Sequence, residues 1–338
     1  MQILIAGDLV PTKSNKDFFN HADTKALLGE ELLSIWNSAD IRIFNLEVPL
    51  TDTEDPIDKC GPNLIAPTSV IKGIKALEPS LLTLANNHIF DQGEQGLQST
   101  IKVLNKNNIP YVGVGENLTE ASEPYIIEKD GFKIGIYACA EHEFSIAGGK
   151  TPGANLFDPL ESLDHIQELK ARCDYVLILY HGGKEHYRYP SPYLQKVCRG
   201  ADLVVCQHCI RCIEQYKGFT IVYRQGNFIF NSSKSEYWNT SILIKLEINY
   251  NQVNVEYIPF TRNGNGVLLV TGKIAEEILG EFQHRTKEIL QEGFIEKQYQ
   301  EFAQANIQFY LGTFSGFGKW ILRINGRLLN RMLINVSY

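Results

Sequence analysis

Apolar positions recur along this chain with two different periods. Residues 25–36 carry Leu28, Leu32, Leu33 and Trp36 at helical spacing, and residues 70–77 and 93–105 read as helices too. Between them lie short apolar runs at residues 3–6, 41–45, 81–84 and 111–114, which have the length of strands. Strand and helix taking turns predicts an α/β fold built on βαβ units.

The rhythm changes beyond Asn117. Residues 125–128 and 133–138 flank Asp130-Gly131, a hairpin signal. Residues 160–170 have helical spacing, and residues 175–179 read as a buried strand. Strand-like runs follow at residues 203–205, 220–223, 228–230, 241–247 and 253–259, with a turn at Tyr250-Asn251-Gln252 before the last. They predict a second, more antiparallel sheet. The expected architecture is a layered α-β-β-α sandwich of two mixed β-sheets flanked by helices. Asn263-Gly264-Asn265-Gly266 offers a boundary, and from Thr271 the chain turns helical and polar. The expected division is a domain of residues 1–265 and a C-terminal helical extension, residues 266–338.

Composition narrows the class. Of 338 residues, 44% are hydrophobic and 21% charged, which suits a globular protein and not a disordered one. A net charge of −7 argues against nucleic acid as a partner, since that needs a basic face. It leaves room for a local pocket that takes an anionic substrate. The chain opens directly on a strand, without a basic start or a long apolar leader, and no run is long enough to cross a bilayer. Seven cysteines make an odd count, and Cys139 and Cys206 sit in apolar strand-like runs, so reduced thiols in the cytoplasm are expected. Cys206, Cys209 and Cys212 lack the second pair that a structural zinc site wants, so they read as buried thiols.

The chemistry gathers where predicted strands end. Asp8 follows the first, Glu47 the second, and Asn87 and His88 the third; His181 and His208 follow two later ones. Sites in open α/β sheets lie at the carboxyl ends of strands. Oxygen and imidazole ligands together suit a divalent transition metal such as Mn, Fe or Zn.

Six motifs make the pattern specific: Gly7-Asp8, Asn45-Leu46-Glu47, Asn86-Asn87-His88, Asp91-x-Gly93, His181-Gly182-Gly183-x-Glu185 and Gln225-Gly226-Asn227-Phe228. In this order they resemble the CapA family, linked to poly-gamma-glutamate capsules and other surface polymers. That family is similar to the calcineurin-like metallophosphoesterases, with Glu in place of a bridging Asp. The resemblance implies that Asp8 binds a first metal and that Glu47 bridges to a second, completed by Asn87, His181 and His208. It implies that His88 is catalytic, standing beside the substrate to protonate a leaving oxygen or stabilise charge in the transition state, while the metals polarise the substrate and acidify a water. Lys59, Asn86, Asp91, Glu185, Arg188 and Asn227 are the expected substrate-binding residues.

The chain departs from the resemblance in ways that bear on metal number. Val10 stands where the superfamily usually has a His, and a single His208 stands where His-x-His is usual. If His208 matches the first His, the second metal keeps four protein ligands and the first keeps Asp8 and Glu47 alone, which predicts one tight metal and a second weak one. If it matches the second, Cys206 falls at the first, and a thiolate replaces imidazole. Arg224 replaces a usual glycine beside the site. The implied activity is hydrolysis of a phosphoester or amide bond in a surface-polymer pathway; the alternative is a catalytically weakened accessory protein that binds polymer or partner enzymes. Residues 319–331 carry Lys319, Arg323, Arg327 and Arg331 at four-residue spacing beside Trp320 and Ile324, either a membrane-surface helix or one docked on its own domain.

Overall fold

The computed structural model describes residues 1–59, 61–183, 187, 189–198, 203–207, 212–223, 225–230, 239–249 and 252–312. In chain order the strands are β1 Gln2–Val10, β2 Ile41–Leu46, β3 Leu81–Thr83, β4 Tyr111–Val112, β5 Val114–Gly115, β6 Tyr125–Lys129, β7 Phe132–Ala140, β8 Gly153–Ala154, β9 Tyr175–His181, β10 Leu203–Gln207, β11 Cys212–Tyr216, β12 Phe219–Tyr223, β13 Asn227–Phe230, β14 Thr240–Asn249, β15 Gln252–Asn263 and β16 Gly266–Leu269. The α-helices are α1 Lys16–Asn20, α2 Thr24–Leu28, α3 Glu30–Ser38, α4 Ile71–Ala76, α5 Gly93–Lys106, α6 Leu118–Ala121, α7 Glu161–Lys170, α8 Pro192–Val197, α9 Gly272–Ile289 and α10 Phe294–Gly312.

Period-two alternation builds three apolar layers from two sheets. The first sheet runs β16-β15-β14-β1-β2-β3-β4, with β13 on the outer half of β1; the second runs β11-β12-β10-β9-β7-β6. Ile3, Ile5 and Ile43 of the first face Ile136, Leu177, Leu179 and Val205 of the second across the middle layer. The alternate residues Leu4, Ala6, Phe44 and Leu46 pack outward on Leu28, Leu32, Trp36 and Leu97 of the helices. On the far side Val176, Ile178, Tyr180 and Val204 pack on Ile166, Leu169, Leu194, Ile289 and Ile295. This is the expected α-β-β-α sandwich.

Its internal pairing differs from the expectation. The second sheet has a parallel centre, because β7, β9, β10 and β12 all pair in parallel and only the edges β6 and β11 are antiparallel. The antiparallel strands expected there, β14 and β15, belong to the first sheet, where β14 lies antiparallel to β1. Alternation marks a strand's two faces but carries no record of its neighbour. The helix expected over residues 25–36 is two, broken at Gly29. The hairpin at Asp130-Gly131 forms, with both residues at positive φ (54° and 77°), the signature of a type I′ turn.

The boundary expected at residue 265 is instead a hairpin turn. Asn263 pairs with Gly266, and β16 extends the first sheet. Ile278 and Phe282 of α9 then join the middle layer, so the helices after 266 cover the sheets rather than stand apart. Burying Phe282 alone contributes about 2–3 kcal/mol. Among the described residues no helix is long and apolar enough to cross a membrane. The basic segment 319–331 lies outside the described residues.

Candidate metal centre

Alternation aims the strand-end groups into one place. In β9 the middle layer takes Leu177 and Leu179, so His181 comes next on that face. In β2 it takes Ile41 and Ile43, and the same phase continues to Asn45 and Glu47. Asp8 is out of phase with Ile3 and Ile5, but the β1–β2 pairing shifts register between Ile5 and Asp8, and the β1–β13 pairing between Asp8 and Leu9. Such an irregularity re-aims a side chain. The Asp8 carboxylate thereby reaches across to the second sheet.

The result is a buried cluster at the carboxyl ends of both sheets. His181 Nδ1 lies 3.4 Å from Asp8 Oδ1, and Nε2 lies 3.2 Å from Glu47 Oε1. Nε2 is also 3.0 Å from Asn87 Oδ1. Ligand-type atoms of Asp8, Glu47 and His181 all lie within 4.8 Å of one another, and all three residues are buried. Four of the five expected ligands are therefore together. The fifth, His208, lies outside the described residues, as do Glu185, Arg188 and Arg224; β10 ends at Gln207, in register with His181.

Burial alone pushes the His181 imidazole toward neutrality, but the Asp8 and Glu47 carboxylates win and hold its pKa up to about 10. Two acidic side chains and one imidazole thus share a dry place. A divalent cation would suit that donor set.

A second ring of amides supports the first. Asn45 Nδ2 donates to Asp8 Oδ1 (2.7 Å) and lies 3.2 Å from His181 Nδ1. Its Oδ1 accepts from Thr83 Oγ1 (3.2 Å) and Asn86 Nδ2 (3.0 Å). Asn45 thus ties strands β1, β2 and β3 to β9, a role that sequence reasoning missed although the residue stands in the Asn45-Leu46-Glu47 motif. Its place two residues before Glu47, on the same strand face, was the available signal.

Asn86, expected to bind substrate, is fully buried and spent on the fold. It donates to Asn45 and to Leu46 O (2.9 Å), and its Oδ1 accepts from the His88 N–H (3.1 Å). Asp91 is equally buried: His88 Nδ1 donates to Asp91 Oδ2 at 2.6 Å, the Leu64 N–H donates to the same oxygen, and Lys59 Nζ pairs with Oδ1. Lys59 is covered too, its side chain 3% exposed. These three expected substrate-binding side chains are all enclosed and engaged with groups of the protein itself. His88 stands at the edge, held by its backbone and by Nδ1.

Asn227 sits in register with Asp8 on β13. The approach depends on two glycines, because a Cβ at Gly7 would lie 1.8 Å from Gly226 O, and Gly226 has φ +87°. Gln225 locks the same turn, donating to Ile5 O (3.0 Å) while its backbone N–H donates to Cys206 O. The thiolate reading of Cys206 fails: it alternates onto the outer layer beside Tyr180, and its sulfur lies 3.6 Å from Cys198 Sγ. Val10 is buried among apolar side chains on the helix-facing layer.

The family described as bacterial capsule synthesis protein PGA_cap matches residues 2–232, more than half of the chain. The chain belongs to that family. Among its relatives are the capsule biosynthesis protein CapA of Bacillus anthracis, 27% identical over 247 residues, and the PGA biosynthesis protein CapA of Bacillus subtilis, 32% identical over 176. The alignments cover 68% and 48% of this chain, but only 60% and 45% of those relatives. A hypothetical protein from Thermus thermophilus shares the fold at a TM-score of 0.50 and 14% identity, over 78% of this chain and all of that one. All the site residues of this family member lie within the matched span.

Proposed function

We propose that the chain is a metal-dependent hydrolase that cleaves a phosphoester or amide bond in the making of a capsule, poly-gamma-glutamate or another surface polymer. The observation that carries the reading is the buried Asp8–Glu47–His181 cluster, with the half-buried Asn87 against His181 and His88 at its edge. The polymer context rests on the capsule and PGA names of the relatives. Asp8, Glu47, Asn87 and His181 would hold the metal, with Mn, Fe or Zn fitting their oxygen and imidazole donors. A divalent cation so held supplies Lewis acidity for hydrolysis. The protein's own part is positional. Asn45 fixes Asp8, and Asp91 accepts a hydrogen bond from His88 Nδ1–H, leaving Nε2 as the nitrogen that exchanges a proton with the leaving group.

A generic aryl phosphate and elemental analysis test this together. His88→Ala should lower turnover by about a hundredfold or more while bound metal stays near its original level. A wild-type chain that holds metal and cleaves neither phosphoesters nor amides favours the second reading, an accessory protein that binds an anionic polymer or partner enzymes. Val10 supports that alternative, because a valine in the apolar core leaves one metal position short of a ligand. A cytoplasmic setting, with membrane-surface contact through residues 319–331, belongs to the proposal, and fractionation of the intact chain tests it.

A further inference from the structure

We propose that Lys59 is a positioning residue, acting through Asp91 to hold the His88 imidazole in one orientation and one tautomer. The inference rests on the hydrolase reading for its consequence but not for its geometry. Asp91 is fully buried and is gripped at both oxygens. Oδ2 receives the His88 Nδ1–H at 2.6 Å and the Leu64 backbone N–H at 2.6 Å. Oδ1 receives the Lys59 ammonium. Turning about the Cβ–Cγ bond moves both oxygens, so the donor on Oδ1 adds to the two on Oδ2 in opposing that rotation. Lys59 therefore stiffens the carboxylate against the rotation that would carry the His88 acceptor away.

The contact of 3.3 Å between Lys59 Nζ and His88 Nδ1 fits the same account. An ammonium carries donors only, so Lys59 offers an Nδ1 proton no acceptor in place of Asp91. Nδ1 must keep its proton on the Asp91 side, which defines the tautomer and presents Nε2 outward. A direct role for Lys59 in gripping an anionic substrate is disfavoured by its enclosure. Its side chain is 3% exposed, and the half-exposed Phe144 ring lies 5.9 Å from Nζ. The loop that carries Phe144 is itself pinned to the motif, since Ser145 Oγ donates to Asn86 O at 2.6 Å.

Two readouts test the proposal, one of them independent of activity. The first is the downfield Nδ1–H resonance of His88 in the zinc-loaded chain, assigned by its loss in His88→Ala. It should broaden or shift in Lys59→Met and be restored in Lys59→Arg, whose guanidinium can also donate to Asp91 Oδ1. Lys59→Gln keeps a polar end in the pocket, so the same broadening can be read there if the methionine variant fails to fold. The second is steady-state hydrolysis of p-nitrophenyl phosphate. Lys59→Met should lower kcat about ten- to a hundredfold with KM within about threefold and bound zinc unchanged. A rise in KM at constant kcat would make Lys59 a substrate ligand and overturn the proposal. So would a His88 resonance unmoved in Lys59→Met and Lys59→Gln. If the wild-type chain hydrolyses nothing, the hydrolase reading falls, while the resonance still decides the role of Lys59.

Discussion

His181 and Tyr180 are neighbours on β9, both buried, and both have proton affinities raised by their surroundings. The consequences are opposite. Tyr180 faces the outer layer, where burial pushes its hydroxyl well above the ordinary range and keeps it neutral. Cys139 and Cys198 in that layer are driven upward by burial in the same way, so these thiols stay neutral there. His181 faces the gap between the sheets, where two carboxylates overcome burial and make it charged at neutral pH. One step along a strand thus separates inert packing from a site that calls for a cation.

Ligand removal should break that contrast most sharply. His181→Ala is expected to weaken metal binding by more than about a hundredfold, read as metal retained after dialysis against a wild-type value near one per chain. Retention of wild-type metal would move the centre away from this cluster. Asn45→Ala should weaken binding about ten- to a hundredfold, because Asp8 loses the donor that orients it. An unchanged Kd by calorimetry would make Asn45 a matter of folding only.

The titration of His181 sharpens the comparison from the side of pH. Its folded pKa is raised, so the proton's contribution to metal-free stability is complete below about 6.5 and is lost as pH rises through about 10. Metal must displace that proton. Affinity should therefore rise about tenfold per pH unit between 6 and 8, with about one proton released per metal in calorimetry. A flat profile would mean that the proton is not where the geometry holds it. The smallest effect is expected on the outer face: Cys206→Ser should leave metal content unchanged and cost about 1–3 kcal/mol of stability in denaturant melts, for a buried hydroxyl lacking a good partner. Loss of metal there would restore the thiolate reading.

Much of the site was readable because its ligands directly follow apolar runs. Asp8 lies among the last residues of β1, Glu47 just past β2, Asn87 in the loop after β3 and His181 at the end of β9, and the chain's motif order pointed to their chemistry. The supporting groups were harder. Lys59 and Asp91 are 32 residues apart, and Lys59 reads equally well as a solvated loop residue until the fold encloses it. Asn86 reads as a substrate ligand until Asn45 and Leu46 claim its amide.

By itself, then, the order of residues determined the layers, the helices' apolar faces and which strand ends carry chemistry, since periodicity and residue type are local properties. Only the tertiary structure decided which sheet β14 and β15 would join, that Asn263–Gly266 turns a hairpin, and that Cys206 faces away from the metal centre. It also decided that a register shift near Asp8 brings that carboxylate to His181. Each of these depends on pairing between segments distant in the chain, and the free energy of such pairing is set by the neighbour as much as by the strand itself.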